Sequence, residues 1–455
     1  MPDPTTIMEE IDQHIVQHLD STLHDLSLLC HQPSVAAQNY GITECAELVG
    51  DLLRQRGFAV QILPSGGSPV VVADAPGRSS KRMLLYNHYD VQPAEPLDLW
   101  TTPPFEPDIR EGKFFARGAG DDKGHILCRL AALDAFKAVT GDYPCHIRFI
   151  IEGEEEIGSV HLPDFIEQNK AILGGDACLW EFGGVDYEDR PEVYLGMRGI
   201  CYVELRVKTA KQDAHSGLAG SIFPNAAWRL VWALNTLKGQ DEQILIPGFY
   251  DAVLPPSERD LAMLAALPNE EADLKQTYGI SGFLNGLTGV ELRREAVFVP
   301  TCTICGITTG YQGPGSKTVL PAEASAKVDF RLVPNQRPAD IIAKLRKHLD
   351  EQGFSDIDIH QHGGTNPARV NPDDPFVAIC TETAKEIYGK EATVAPMIGG
   401  SGPMYPFVHV LNVPIGAAGL GYPGGRAHAP DENFRLEDFV KGARHTARIL
   451  ARFSE

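Results

Sequence analysis

The sequence predicts an α/β protein in two parts: a mixed, mostly parallel central sheet flanked by helices, and a smaller α+β domain. Three observations lead there. Short apolar runs such as Met83-Leu84-Leu85-Tyr86 read as strands of a buried parallel sheet, and segments of helical periodicity separate them. From about Met197 the pattern becomes β (GICYVELRVK), α (NAAWRLVWALNTL), paired strands (CTICGIT and ASAKVDFRLV), α (PADIIAKLRKHLDEQG) and β (DIDIHQH), a βαββαβ-like unit. A chain of 455 residues also exceeds what one compact core normally organises.

Taken in order, residues 1–60 read as two helices, the second over GITECAELVGDLLRQRG with Gly57 as its stop. Strands follow at 59–63, 70–73 and 83–86. The last runs at once into His88-x-Asp90, and in open α/β sheets the chemistry gathers beyond the carboxyl ends of strands. In His-x-Asp the imidazole can bind a metal while the carboxylate orients it. Next, a strand-like KFFAR enters the turn Gly118-Ala119-Gly120, and Asp121-Asp122-Lys123-Gly124 opens a long helix. The turn lacks the third glycine of a dinucleotide site, and an acidic pair repels pyrophosphate, so a cation suits it better.

Residues 147–151 run into Glu152-Gly153-Glu154-Glu155-Glu156, and residues 177–180 end at Glu181. His428 lies in a Gly/Pro loop before the final helix. A single loop histidine or charge run is ordinarily a solvated surface. Successive strand ends and turns supplying His, Asp, Glu and Glu, with a late His, form an N/O ligand set. Such a set suits zinc, manganese or cobalt rather than calcium. Of the neighbours Glu155 and Glu156, one serves naturally as ligand and the other as proton acceptor.

Bulk properties narrow the partners. A net charge of −21 argues against nucleic acid or an anionic membrane. No apolar run approaches a membrane span, and the amino-terminal residues show no secretion signal. Nine cysteines scattered through apolar segments suggest reduced thiols and a cytoplasmic location. Cys302-x-x-Cys305 has no second pair and reads as packing. Residues 244–294 read as a long irregular stretch, and Trp228 and Trp232, a helical turn apart, as core or interface residues.

The motifs NHYDVQP, GDDKG, EGEEEIGS, GMRGICYVELRV, DAHSG, KTVLPAEASAKVDFRLVPNQ, GGSGP and AHAP, in that order, carry a resemblance over most of the chain. It resembles the di-zinc metallopeptidase and amidohydrolase family of carnosinase-type cytosolic dipeptidases, aminoacylase, carboxypeptidase G and succinyl-diaminopimelate desuccinylase. GMRGICY and FRLVPN look closest to the dipeptidase branch. The resemblance implies a zinc-exopeptidase-like catalytic domain over residues 1–197 and 369–455, with a ferredoxin-like lid and dimerisation domain over 198–368. It implies two divalent ions per subunit, zinc first and manganese or cobalt as alternatives. His88, Asp121 and Glu181 would hold one ion, and Asp121, Glu156 and His428 the other. Asp90 would orient His88, and Glu155 would be the general base acting on a metal-bridged water. In a homodimer, His215 would reach the partner subunit's site and stabilise the oxyanion. Arg331, inside an apolar strand where an unpaired guanidinium is costly, would meet the substrate carboxylate, with His362, Thr318 and Ser401 as further contacts.

Two departures bear on the substrate. Met397-Ile398 stand where the dipeptidase branch carries an arginine and an acidic residue before Gly-Gly-Ser, and Glu181 stands where many relatives have Asp. The expected activity is hydrolysis of dipeptides or short peptides with a free C-terminal carboxylate. The alternative is deacylation of N-acyl amino acids.

Overall fold

In the larger unit the apolar runs become the inner strands of a six-stranded sheet. Its order is Ala59–Leu63, Val70–Ala75, Cys145–Glu152, Ser79–His88, Ala177–Trp180, Ile415–Ala417. The first two pairings are antiparallel and the remaining three parallel. Met83, Leu84, Leu85 and Tyr86 are all fully buried, which is why they show no alternation. The parallel strands deliver their carboxyl ends to one rim, where His88 lies in register with Glu152.

This computed structural model describes residues 4–455, which form two compact units. The larger comprises the chain up to Leu195 with Val370–Pro396 and Pro403–Glu455; the smaller comprises Gly196–Arg369 with Met397–Gly402. Within the larger unit, the helix Lys123–Thr140 buries nearly every residue from Lys123 to Phe136, so only its last turn meets solvent. The helices Pro4–Gln17, Leu19–His31 and Leu436–Ser454 pack around it.

The amino-terminal region holds three helices rather than the expected two, the third being Ile42–Gln55. The first stretch breaks at His18, whose carbonyl accepts the hydroxyls of Ser21 (2.8 Å) and Thr22 (3.1 Å). Such local side-chain bonds compete with a continuous helical ladder.

The smaller unit is a four-stranded antiparallel sheet in the order Thr303–Thr309, Glu323–Leu332, Gly199–Lys208, Asp358–Thr365. The helices Ala226–Leu234 and Pro338–Glu351 pack on it. Ala324, Ala326, Val328, Phe330 and Leu332 enter the core between sheet and helices. Period two therefore puts Lys327, Asp329 and Arg331 on the opposite face.

Residues 244–294 are irregular only in part. They carry the helices Glu258–Ala266 and Glu271–Tyr278 and most of Gly289–Phe298, each too short to impress a clear period on the sequence. The first opens on a capping box of Ser257 and Asp260. Leu264 and Phe298 form a small core with Met397. The Ile398 N–H donates to the Gly196 carbonyl (2.9 Å), and the Arg198 N–H to the Gly400 carbonyl (3.0 Å). These contacts draw Met397–Gly402 into the smaller unit, although sequence reading assigned all of 369–455 to the catalytic domain.

Trp228 and Trp232 stack at 5.9 Å and are 57% and 55% exposed, so they are surface residues rather than core. Cys302 is buried as expected of a packing residue, but Cys305 is exposed. No described helix is long and apolar enough to cross a membrane.

Candidate metal centre

Five segments of the larger unit bring functional side chains to its rim. The His88 imidazole, 1% exposed, ends the central strand. Its Nε2 lies 2.9 Å from Asp121 Oδ1. Its Nδ1 lies 3.0 Å from the main-chain oxygen of Asp90 and 3.4 Å from that residue's carboxylate, so the nearer orienting acceptor is the carbonyl. The Asp90 carboxylate instead accepts the backbone N–H groups of Glu155 (3.2 Å) and Glu156 (3.0 Å). One buried residue thus fixes His88 through its main chain and the Glu155-Glu156 pair through its side chain.

Asp121 follows the glycine turn and faces two imidazoles at once. Its Oδ1 meets His88, and its Oδ2 lies 3.0 Å from His428 Nε2. His428 Nε2 is also 3.1 Å from Glu156 Oε2, which accepts from Gln92 Nε2 (2.9 Å). Asp121, Glu156 and His428 each offer a ligand atom within 4.8 Å of the others, the one such group among the described residues. His428 holds this position with a left-handed backbone (φ +61°), a conformation that side chains other than glycine adopt at a cost of about 1 kcal/mol or more. Glu181, 4% exposed, places a buried Oε2 that has no hydrogen-bond partner.

The electrostatics are those of a site short of positive charge. Burial pushes Glu181 well above the usual carboxylate range, and the neighbouring Glu155 adds to it. Burial likewise pushes Glu155 up to about 8, with Asp121, Glu156 and Asp90 adding repulsion that His88 only partly offsets. His428 is raised to about 10 by its contacts with Asp121 and Glu156. Burial opposes protonation of His88, but Asp121 and Asp90 outweigh it and hold the imidazole well above its ordinary value. Burial also opposes ionisation of Asp121, yet His428 and His88 hold it below the usual range. Divalent ions fit these residues: the donors are N and O, their carboxylates repel one another, and a buried Glu181 oxygen lacks a partner.

The residues expected to contact substrate lie in the smaller unit. His215 is exposed, and its Nδ1 accepts the Gly217 N–H at 3.0 Å. The Ala214–His215 strand pairs with Val319–Leu320, beside Thr318, whose carbonyl accepts the Ser216 N–H. Arg331 donates to Ser401 Oγ (2.8 Å) and Asp329 (3.1 Å), with 32% of its side chain exposed. His362 Nε2 lies 2.9 Å from Glu204.

Residues 84–452 match the family described as Peptidase family M20/M25/M40. The chain belongs to that family. It is 35% identical to a solved M20 family metallo-carboxypeptidase, Sso-CP2 from Sulfolobus solfataricus, with TM-score 0.91, covering 95% of this chain and 99% of that one. It is 28% identical over 493 residues to the Beta-Ala-His dipeptidase of Homo sapiens, covering 99% of this chain and 94% of that protein. Against the Cys-Gly metallodipeptidase dug1 of Schizosaccharomyces pombe it is 29% identical over 380 residues, covering 80% and 78% respectively.

Sequence reading missed the supports behind this family's rim in the present chain. Arg129, 1% exposed in the middle of an apolar helix, donates to the carbonyls of Tyr86 (2.8 Å) and Trp180 and to Asn87 Oδ1. It therefore ties together the ends of the two strands that lead to His88 and Glu181. Asp122 accepts from Asn87 Nδ2 (2.6 Å) and the His88 N–H (3.1 Å). A charged residue at position 129 of a helix otherwise apolar around it was the available signal. In the EGEEE run, Glu152 accepts from Tyr86 Oη (2.7 Å) and Ser159 Oγ (2.8 Å), and Glu154 from the Ser68 N–H (2.9 Å). These two serve the fold, leaving Glu155 and Glu156 for the rim.

Proposed function

We infer that the protein is a metal-dependent dipeptidase, cleaving the amide bond of dipeptides or short peptides that carry a free C-terminal carboxylate. The observation that carries this is Asp121 addressing His88 and His428 from its two oxygens, with Glu155 held at the same rim through its N–H bond to Asp90. The Beta-Ala-His and Cys-Gly dipeptidases among the relatives support peptide substrates over N-acyl amino acids.

We assign His88, Asp121 and Glu181 to one divalent ion and Asp121, Glu156 and His428 to a second, with zinc as first choice and manganese or cobalt as alternatives. When bound, such ions polarise the scissile carbonyl and lower the pKa of water at the site toward about 7. Glu155 takes the proton of the attacking water and passes it to the leaving amine. Asp90 holds that base by its backbone and keeps His88 aimed. Because Nδ1 of His215 accepts the Gly217 N–H, a neutral ring carries its proton on Nε2 and can donate to an oxyanion.

We assign that donation to the active site of a second subunit. Leu218, Ile222, Phe223 and the stacked Trp228 and Trp232 are large apolar side chains left exposed, which supports a homodimer. Arg331, assisted by Ser401, Thr318 and His362, takes the substrate carboxylate. The predominance of buried, free cysteines supports a cytoplasmic setting.

The test is paired turnover of a dipeptide and an N-acetyl amino acid by protein stripped of metal and reloaded with zinc or manganese. Dipeptide cleavage is expected. Cleavage of the acylated compound alone replaces the reading with a deacylase.

A further inference from the structure

We propose that Glu432 is a positioning residue that locks Asp121 and His428 into one frame. Glu432 is fully buried and accepts four hydrogen bonds. Its Oε2 takes Arg117 Nη1 (2.7 Å) and the Gly118 N–H (3.0 Å). Its Oε1 takes the N–H groups of Gly120 (2.8 Å) and Asp121 (3.0 Å).

The three backbone donors all belong to the turn that ends on Asp121, and one is Asp121's own. Gly118 takes a left-handed φ of +82°, and the N–H groups of Gly118, Gly120 and Asp121 turn toward one point, an arrangement that receives an anion. Here the anion is part of the chain. It lies four residues after His428, in a segment whose next residues, Asn433–Arg435, pair with Lys113–Phe115 ahead of the same turn. Asp121 must aim its two oxygens at two imidazoles, so a small rotation of its backbone disturbs both directions together. A carboxylate that grips the backbone of Asp121 and sits on the loop of His428 removes that freedom. Ligands distant in sequence then move as one body.

This inference rests on the reading that Asp121 and His428 hold metal. The test compares wild type with Glu432→Gln, Arg117→Met and His428→Ala. Zinc affinity is read by calorimetry, the visible spectrum of the cobalt-loaded protein reports ligand geometry, and thermal unfolding reports stability. Glu432→Gln places an amide against donors on at least one side, and is expected to weaken zinc binding about 10- to 100-fold and shift the cobalt bands. Arg117→Met breaks the same buried ion pair but leaves the carboxylate its backbone donors. It is expected to lose comparable stability while binding metal as wild type does.

Wild-type affinity in Glu432→Gln, or equal losses in both variants, overturns the proposal. Wild-type affinity in His428→Ala instead overturns the underlying site reading. Should Glu432→Gln not fold, Glu432→Asp keeps the charge and retracts the oxygens by one methylene. If that also fails while Arg117→Met folds, Glu432 belongs to the fold alone and the proposal falls.

Discussion

Replacing Glu155 by Gln tests the site from two directions. The substitution keeps shape and removes both the proton acceptor and a charge. If Glu155 is the base, turnover falls by roughly 10²–10⁴-fold, or about 3–5 kcal/mol of barrier, while metal content stays that of wild type. The same change acts oppositely on stability. In metal-free protein the Glu155 carboxyl rises from its ordinary 4.5 to about 8, by burial first and then by repulsion from Asp121, Glu156 and Asp90. The folded state then keeps its proton over a range in which the unfolded chain has lost it. Stability therefore declines as pH rises from about 4.5 to about 8. At about 1.36 kcal/mol per pH unit the penalty is bounded at roughly 5 kcal/mol. Solvent reaches part of the side chain and reduces it. Urea unfolding of chelator-treated wild type and Glu155→Gln at pH 5 and pH 9 should show the variant gaining relative stability at the higher pH. A pH-independent difference refutes the electrostatic account, and turnover within tenfold of wild type refutes the base assignment.

Three further outcomes are expected. His215→Ala should fold and load metal yet turn over slowly, and mixing it with Glu155→Gln should restore part of the activity through hybrid dimers; hybrids without activity contradict a cross-subunit role. Arg331→Met should raise KM for dipeptides with little change in metal content, and an unchanged KM removes it from carboxylate recognition. His445, buried with Nε2 3.0 Å from the Cys380 carbonyl, is held down to about 4 by burial. The unfolded chain takes up that proton first, so about 3 kcal/mol of stability present above pH 6.5 should be lost as pH falls toward 4. Denaturant titrations of His445→Gln should lack that component, and an equal pH slope in both proteins excludes it.

Much of the larger unit was legible because its signals are local. An apolar run ending in His88, and another ending in Glu181, mark buried strands whose carboxyl ends must emerge at a rim. The glycine turn before Asp121, and in the smaller unit the arginine at 331 inside an apolar strand, are likewise written in neighbouring residues. The helices within 244–294 were not legible, since elements of ten residues or fewer show little more than two turns of any period.

By itself, then, the sequence determined the strand ends, the types of ligand at them and the family they resemble, because each depends on a few consecutive residues. Tertiary structure decided which glutamates of the EGEEE run face the rim, since that depends on Tyr86, Ser159 and Ser68 claiming the other two. It decided that Asp90 holds the Glu155-Glu156 backbone and that Arg129 and Glu432 brace the ligand-bearing segments. A buried charge is stable only where distant donors or acceptors converge on it, and that convergence exists only once the chain has folded.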